Sequence, residues 1–154
     1  MYEIVVFSSG TFLTDQPLTQ QLDPYHFVSH FLYRDATLYQ EGRHIKDLSK
    51  INRDLARVIV IEDNPEEVEF HRENVLAIKS FQDVHKPDDE LDKLGDFLED
   101  LFMRDVQDVR VELATYAERD VLEEYTRRKR ARIQEEQERM SKGLGGLIRR
   151  QRHH

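Results

Sequence analysis

The sequence predicts an α/β protein whose parallel sheet is covered by helices on both faces. Residues 58–61 are four branched aliphatic residues in a row, which is typical of a strand buried on both faces. Residues 2–7 form a second β-rich run, and residues 91–102 repeat apolar side chains at helical spacing. A chain of 154 residues can bury one core, so we expect one domain followed by a tail.

The first predicted strand, residues 2–7, ends in the polar residues Ser8 and Ser9. Their hydroxyls could donate hydrogen bonds to an anion, although capping of the next helix or turn explains them equally well. A short helix should follow, with Thr14 or Asp15 as its N-cap. Its other expected features are Pro17 in the first turn, Leu18 and Leu22 facing inward, and Asp23 with Pro24 as its end.

A third strand is predicted over residues 27–33, with both of its faces covered. Residues 37–45 predict a β-hairpin that has Glu41 and Gly42 at its turn. Because the tip of this hairpin is polar, we expect it to project from the body of the protein.

The strand at residues 58–61 ends in two carboxylates, Glu62 and Asp63. After Pro65 the sequence predicts a short acidic helix over residues 66–70 and a strand over residues 75–78. A longer helix should begin at residues 88–90, whose negative charges suit a helix N-terminus. Its apolar face comprises Leu91, Leu94, Phe97, Leu98, Leu101 and Phe102. The spacing recurs at Val106, Val109, Leu113, Tyr116 and Ala117. We interpret both helices as cover for the sheet.

Beyond Asp120 the apolar stripe thins and charged residues dominate. We therefore divide the chain into a domain over residues 1–118 and a charged tail over residues 119–154, which is a solvated helix or a fraying segment. The glycines of residues 143–146 should break this helix, and residues 149–154 should be disordered. The pair His153 and His154 is too sparse for a metal site.

Composition narrows the possible functions. The chain has no cysteine, which excludes disulfides and thiolate metal sites, and no apolar run approaches the length of a membrane span. Residues 127–154 carry a net charge of +7, so residues 1–126 carry −15 of the total of −8. An acidic body argues against nucleic acid and suits a cationic partner, although a soluble surface would explain it as well.

Several short motifs, in order, resemble one known family. They are residues 2–9, 22–24, 31–37, 42–49 and 52–54, and the similarity continues through residues 73–75 and 108–110. The family is the small C-terminal-domain-phosphatase-like branch of the haloacid dehalogenase superfamily. The combination of residues 34–37 with residues 44–50 looks most like its members that serve as presequence receptors in the mitochondrial inner-membrane translocase.

The resemblance implies a role for each matching position. Ser8 matches the hydroxyl motif and Lys46 the lysine motif that hold the phosphoryl group, while Glu62 and Asp63 match the strand end that binds Mg²⁺. Glu62 stands where the family has Asp, and Asp63 where it has Asn. The family's nucleophile and general acid lie on an Asp-x-Asp loop, and no such loop followed by x-Thr or x-Val occurs in this sequence. We therefore expect no catalysis, no bound metal and no cofactor.

The strand that carries this loop in the family would lie between residues 2–7 and residues 58–61. We expect a truncated chain whose parent has a targeting peptide and a membrane span upstream; otherwise the two flanking strands must pair directly, or another segment must fill the gap. The alternative function, a Mg²⁺-dependent protein serine/threonine phosphatase, requires an Asp-x-Asp strand upstream.

As a receptor, the chain would bind presequences, which are amphipathic and Arg-rich, and would contact other translocase subunits. It would face the intermembrane space at the mitochondrial inner membrane and bind no nucleic acid. The resemblance directs us to the hairpin region for presequence contacts, at Asp35, Tyr39, Glu41, His44 and Asp47. Ordinary turn chemistry would explain the same residues. A third hypothesis is an interaction protein that acts through the charged tail.

Overall fold

The computed structural model describes residues 2–116 and 119–151, with side chains up to residue 142. The strands are β1 (Ile4–Phe7), β2 (Val28–Leu32), β3 (Leu38–Gln40), β4 (Arg43–Ile45), β5 (Val60–Glu62) and β6 (Val75–Ala77). The helices are α1 (Phe12–Leu22), α2 (Glu90–Met103), α3 (Val109–Ala114) and α4 (Val121–Gln151). Short 3-10 segments occupy Arg34–Ala36, Leu48–Lys50, Leu55–Arg57 and Pro65–Asn74. Ala117, His153 and His154 lie outside the described residues.

Three two-stranded sheets are present in the described part of the chain. β1 pairs in parallel with β2, β5 pairs in parallel with β6, and β3 pairs antiparallel with β4. The α/β class is therefore confirmed, but the single parallel sheet that we expected does not form here. Adjacent strands are joined by backbone hydrogen bonds, and no described strand bonds to both β1 and β5. Neither direct pairing of these two strands nor a filling segment is observed among the described residues.

Helix α1 begins earlier than the sequence predicted. Its N-cap is Thr11, whose hydroxyl accepts a hydrogen bond from the Thr14 backbone N–H, so neither Thr14 nor Asp15 caps it. Leu18 and Leu22 are exposed and not inward. The buried residue of the helix is Thr19.

Two contacts set the orientation of α1 and the start of β2. The Thr19 hydroxyl lies 3.1 Å from the Tyr33 hydroxyl, so this face of the helix turns toward the body. Asp23 ends the helix as predicted, and its carboxylate accepts hydrogen bonds from the backbone N–H groups of Phe27 and Val28. The expectation that β2 is covered on both faces was wrong, because Ser29 and His30 are exposed.

The predicted hairpin is confirmed. Glu41 and Gly42 have φ values of 52° and 80°, which are the two positive values of a type I′ turn. Residues of β3 are exposed, whereas Ile45 at the end of β4 is buried. The Lys46 N–H donates to the Glu67 carbonyl at 2.7 Å, which ties the base of the hairpin to the segment Pro65–Asn74. The tip therefore extends outward from an anchored base.

The core lies between β5, β6 and the helices. Its buried members are Leu76, Leu94, Phe97, Leu101, Leu113, Tyr116, Leu122 and Tyr125. The apolar stripe of α2 is largely confirmed, but Leu91 and Phe102 are exposed and do not face inward. The predicted burial of residues 58–61 was also wrong, since all four are half-buried and β5 starts at Val60. Within residues 2–116 and 119–151, β5 pairs with β6 alone, which leaves its other edge without a covering strand.

The first turns of α4 belong to this core. Leu122 and Tyr125, which fall on the tail side of our proposed division at residue 118, pack against α2, and the Tyr125 hydroxyl donates to the Asp96 carbonyl. Residues 130–142 are exposed. The glycines of residues 143–146 do not break the helix, which continues to Gln151. None of the described helices combines the length and the apolar character that a membrane crossing requires.

The role of the Asp108 carboxylate at the start of α3 can be tested by changing the pH. Its carboxylate caps α3 by accepting the Arg110 N–H at 2.9 Å, and it also accepts a hydrogen bond from the Arg110 guanidinium at 2.7 Å. The guanidinium bond is the main reason why the pKa of Asp108 falls from 3.8 to about 2. Because the folded-state pKa is depressed, the stabilisation is complete above the ordinary value and is lost as the pH falls toward 2.

We therefore expect the difference in free energy of unfolding between the wild type and Asp108→Asn to shrink as the pH is lowered from 5 toward 2. Urea denaturation at a series of pH values measures it. A difference that stays constant with pH over this range would contradict the assigned role of the carboxylate.

Candidate functional site

Ser8 lies directly after β1, at the strand end where the sequence placed a phosphoryl-binding hydroxyl. Its hydroxyl donates a hydrogen bond to the Asp15 carboxylate and accepts one from the Gly10 N–H at 3.0 Å. The hydrogen bond from the Ser8 hydroxyl is the main cause of a lowered pKa at Asp15, and the one from the Thr14 hydroxyl is the second. The hydroxyl is thus engaged with a negative charge that would repel a phosphoryl group.

Lys46 is buried between two acidic partners. Its ammonium lies 2.5 Å from Glu62 Oε2 and 3.0 Å from Glu67 Oε2, and the residue is only 7% exposed. Burial acts to lower the pKa of Lys46, but the hydrogen bonds to the two glutamates outweigh it and raise that pKa. Two carboxylates therefore neutralise the ammonium that, in a phosphatase of the family, would bind a phosphoryl oxygen.

Glu62 and Asp63 lie at the end of β5 but have different surroundings. Glu62 is buried against Lys46, and its second oxygen accepts the Asn64 N–H at 3.2 Å. Asp63 is exposed, and a hydrogen bond from the Ser80 hydroxyl at 2.8 Å is the main cause of its lowered pKa. Among residues 2–116 and 119–151, no three His, Asp or Glu side chains are grouped so as to hold a metal ion.

A cleft of about 230 Å³ connects the ends of the two parallel strand pairs. It is lined by Ser9, Arg34, Arg43, His44, Asn64, Glu66 and Glu67. The two guanidinium groups already have partners, since Arg34 donates to the Ser9 carbonyl at 2.7 Å and Arg43 to Glu69 at 3.0 Å. The ends of β1 and β5 thus meet at one cleft, although these two strands are not in one sheet.

The hairpin residues divide into exposed and engaged groups. Asp35, Tyr39 and Glu41 are exposed. His44 is half-buried; its Nδ1 lies 2.8 Å from the Thr37 hydroxyl and its ring 4.9 Å from that of Tyr39. Asp47 is half-buried, caps the segment Leu48–Lys50 and lies 3.3 Å from His71.

The structure therefore brings Tyr39 and His44 into contact across the hairpin and places Glu41 at its turn, whereas Asp47 caps the segment after it. It also reveals residues that sequence reasoning missed. Glu67, the second partner of Lys46, fell within the short acidic helix predicted over residues 66–70, and no pairing was expected for it. Phe81 lies in a polar loop after β6 and is exposed, and a lone aromatic residue among polar neighbours was the available signal.

Ser8 and Lys46, which the sequence matched to phosphoryl-binding positions, are thus both engaged with acidic partners inside the protein. Residues 1–110 match the model of the NLI interacting factor-like phosphatase family, and the chain belongs to that family. The family membership predicted from the motifs is thereby confirmed.

Curated relatives narrow the similarity further. The mitochondrial import inner membrane translocase subunit TIM50 of Mus musculus is 42% identical over 142 residues, which is 92% of this chain and 40% of that protein. The TIM50 subunit of Phytophthora infestans is 35% identical over 96% of this chain and 37% of that protein. The tim50 subunit of Neurospora crassa is 38% identical over 82% of this chain and 23% of that protein. The chain thus spans about two fifths or less of the length of these relatives.

Proposed function

We propose that this chain is part of a subunit of the mitochondrial inner-membrane translocase, and that it acts as a non-catalytic receptor. It binds the presequences of imported precursor proteins, passes them to the channel and contacts other translocase subunits. The similarity to TIM50 proteins over 92% of the chain supports the assignment to the translocase. The domain faces the intermembrane space in this proposal.

The main support for a non-catalytic role is that Lys46 is buried and paired with acidic side chains. A phosphatase needs this ammonium for a phosphoryl oxygen, but here it is buried and paired with Glu62 and Glu67. The Ser8 hydroxyl is similarly engaged with Asp15. The sequence also contains no Asp-x-Asp loop of the family's type to supply a nucleophile. We further propose that a strand outside the described residues pairs with both β1 and β5. Each of these strands has one strand partner in the described part of the chain.

The acidic body supports the choice of ligand. Residues 1–126 carry a net charge of −15, which attracts a basic amphipathic helix and increases its association rate. The exposed Tyr39 on the hairpin supplies apolar area, while Glu41 at its turn and Asp35 in the preceding 3-10 segment supply charge. We propose these residues as a presequence contact, with His44 and Asp47 maintaining the shape of the hairpin.

Charge reversal at the hairpin tip tests this contact. Glu41→Lys should weaken binding of an Arg-rich presequence peptide by about 1 kcal/mol or less, because the carboxylate is solvent-exposed and screened. The effect should diminish at high salt. Fluorescence anisotropy with a labelled peptide measures both.

Glu136→Lys is the matched control, because it makes the same charge change at an exposed position of α4. Equal losses for the two variants would mean that only total charge matters and would remove the hairpin from the binding site.

A further inference from the structure

A second groove lies where β5 and β6 end and α2 begins. Its volume is about 670 Å³. Ile61, Ile78, Phe81 and Leu91 line its apolar part, and we call it the Phe81–Leu91 groove. Phe81 and Leu91 are 65% and 72% exposed, so two large apolar side chains face solvent here. The groove is also lined by the carboxylates of Glu62, Asp63, Asp88, Glu90 and Asp92 and by the ammonium of Lys79.

Glu90 is the unusual member of this set. The residue is 8% exposed, yet its Oε2 accepts no hydrogen bond from any described residue. The other oxygen lies 3.6 Å from the Lys79 ammonium and 4.0 Å from that of Lys93, which is beyond hydrogen-bond distance. A buried carboxylate oxygen without a donor is costly, so a donor that reached the Glu90 carboxylate from the groove would relieve an unsatisfied charge.

Lys79 does not satisfy this acceptor because other acids hold it. Its ammonium hydrogen-bonds to Glu123 and lies 3.2 Å from Asp120, both at the start of α4. These two bonds raise the pKa of Lys79, so it stays charged but directed toward α4. The Glu90 N–H donates to Asp88 at 2.9 Å, which fixes the first turn of α2 at the groove.

We propose that the Phe81–Leu91 groove binds an arginine of a cationic amphipathic segment, with the guanidinium donating to Glu90 and a neighbouring apolar side chain packing on Phe81 and Leu91. A guanidinium suits this site better than an ammonium, because its planar fork can bond a carboxylate with two N–H groups and can stack on an aromatic ring. The proposal rests on the proposed function and adds to it a binding site at the start of α2, formed by residues other than the proposed hairpin contacts.

The test uses the whole 154-residue chain and a labelled Arg-rich amphipathic peptide. Glu90→Gln keeps the shape of the side chain and should weaken the affinity at least about tenfold, since it removes one partner of a desolvated charge pair. Glu99→Gln makes the same change on the exposed surface of α2 and should leave the affinity unchanged. The same peptide with every arginine replaced by lysine should bind the wild type more weakly and should be less sensitive to Glu90→Gln.

Leu91→Ser provides a second variant, because this exposed side chain can be shortened without loss of core packing. It should weaken binding several-fold while the thermal unfolding curve is retained. Three outcomes are distinguishable. Specific losses for Glu90→Gln and Leu91→Ser support the groove. Wild-type binding that neither variant weakens relative to Glu99→Gln overturns the groove but leaves the receptor function intact. Absence of wild-type binding overturns both.

Discussion

Replacing Phe97 by alanine should lower the free energy of unfolding by about 3–5 kcal/mol, which is the usual cost of removing a fully buried aromatic ring. Phe97 is 0% exposed, and its ring makes edge-on contacts with Tyr116 at 5.7 Å and Tyr125 at 5.2 Å. The ring therefore joins α2 to α4 and to the segment after α3. Because small domains are stable by only about 5–15 kcal/mol, this loss would unfold much of the population under mild denaturant. Urea denaturation followed by circular dichroism measures it.

Phe102→Ala is the matched control on the same helix. Phe102 is 55% exposed, and its ring lies 6.3 Å from that of Tyr2. Removing it should cost about 1 kcal/mol or less, because most of the ring is already in water. Equal losses for the two variants would contradict the packing of α2 described above.

The second large effect is expected at Lys46. Lys46→Met should destabilise the protein by about 3 kcal/mol, because it leaves the buried carboxylate of Glu62 without its cation. Lys46 and Glu62 are 7% and 9% exposed, so water cannot replace the lost ion pair. The effect is measured by the same denaturation experiment.

The double variant Lys46→Met with Glu62→Gln separates charge from packing. It should be more stable than Lys46→Met alone, since the buried negative charge is removed together with its partner. A double variant as unstable as the single one would show that the lysine contributes through packing, and it would weaken the case that its charge is internally neutralised.

Local signals in the sequence explain what could be predicted. The hairpin turn depends on two adjacent residues, Glu41 and Gly42, that adopt positive φ, and such turns are specified locally. The start of α2 and its buried face at Leu94, Phe97 and Leu101 follow from helical periodicity alone. Family motifs singled out Ser8 and Lys46, and the structure has Ser8 directly after β1 and Lys46 directly after β4.

Long-range contacts explain what could not be predicted. Leu18 and Leu22 appeared to form an inward face, but the contact of Thr19 with Tyr33 turns the helix the other way. Tyr125 lies in a charged segment, and its burial depends on α2, about thirty residues earlier in the chain. Glycine costs about 1 kcal/mol in a helix interior but is not an absolute break, so the predicted end of α4 at residues 143–146 was wrong.

In the candidate site, too, local features could be predicted from the sequence and long-range contacts could not. The sequence placed Glu62 at the end of a strand, but its pairing with Lys46 and the participation of Glu67 depend on the hairpin base packing on the segment Pro65–Asn74. The groove at Phe81 and Leu91 was not predicted. Leu91 fitted the apolar periodicity of α2, and periodicity does not reveal which apolar residue at a helix start has no partner.

We propose that this acidic, phosphatase-type scaffold binds peptides that are both basic and amphipathic. Calorimetric titration of the 154-residue chain with a presequence peptide, and with a peptide of identical composition whose basic and apolar residues are not segregated, tests it most directly. We predict saturable binding of the presequence peptide and clearly weaker binding of the rearranged one. Equal affinities, or no saturable heat from the presequence peptide, would contradict the claim.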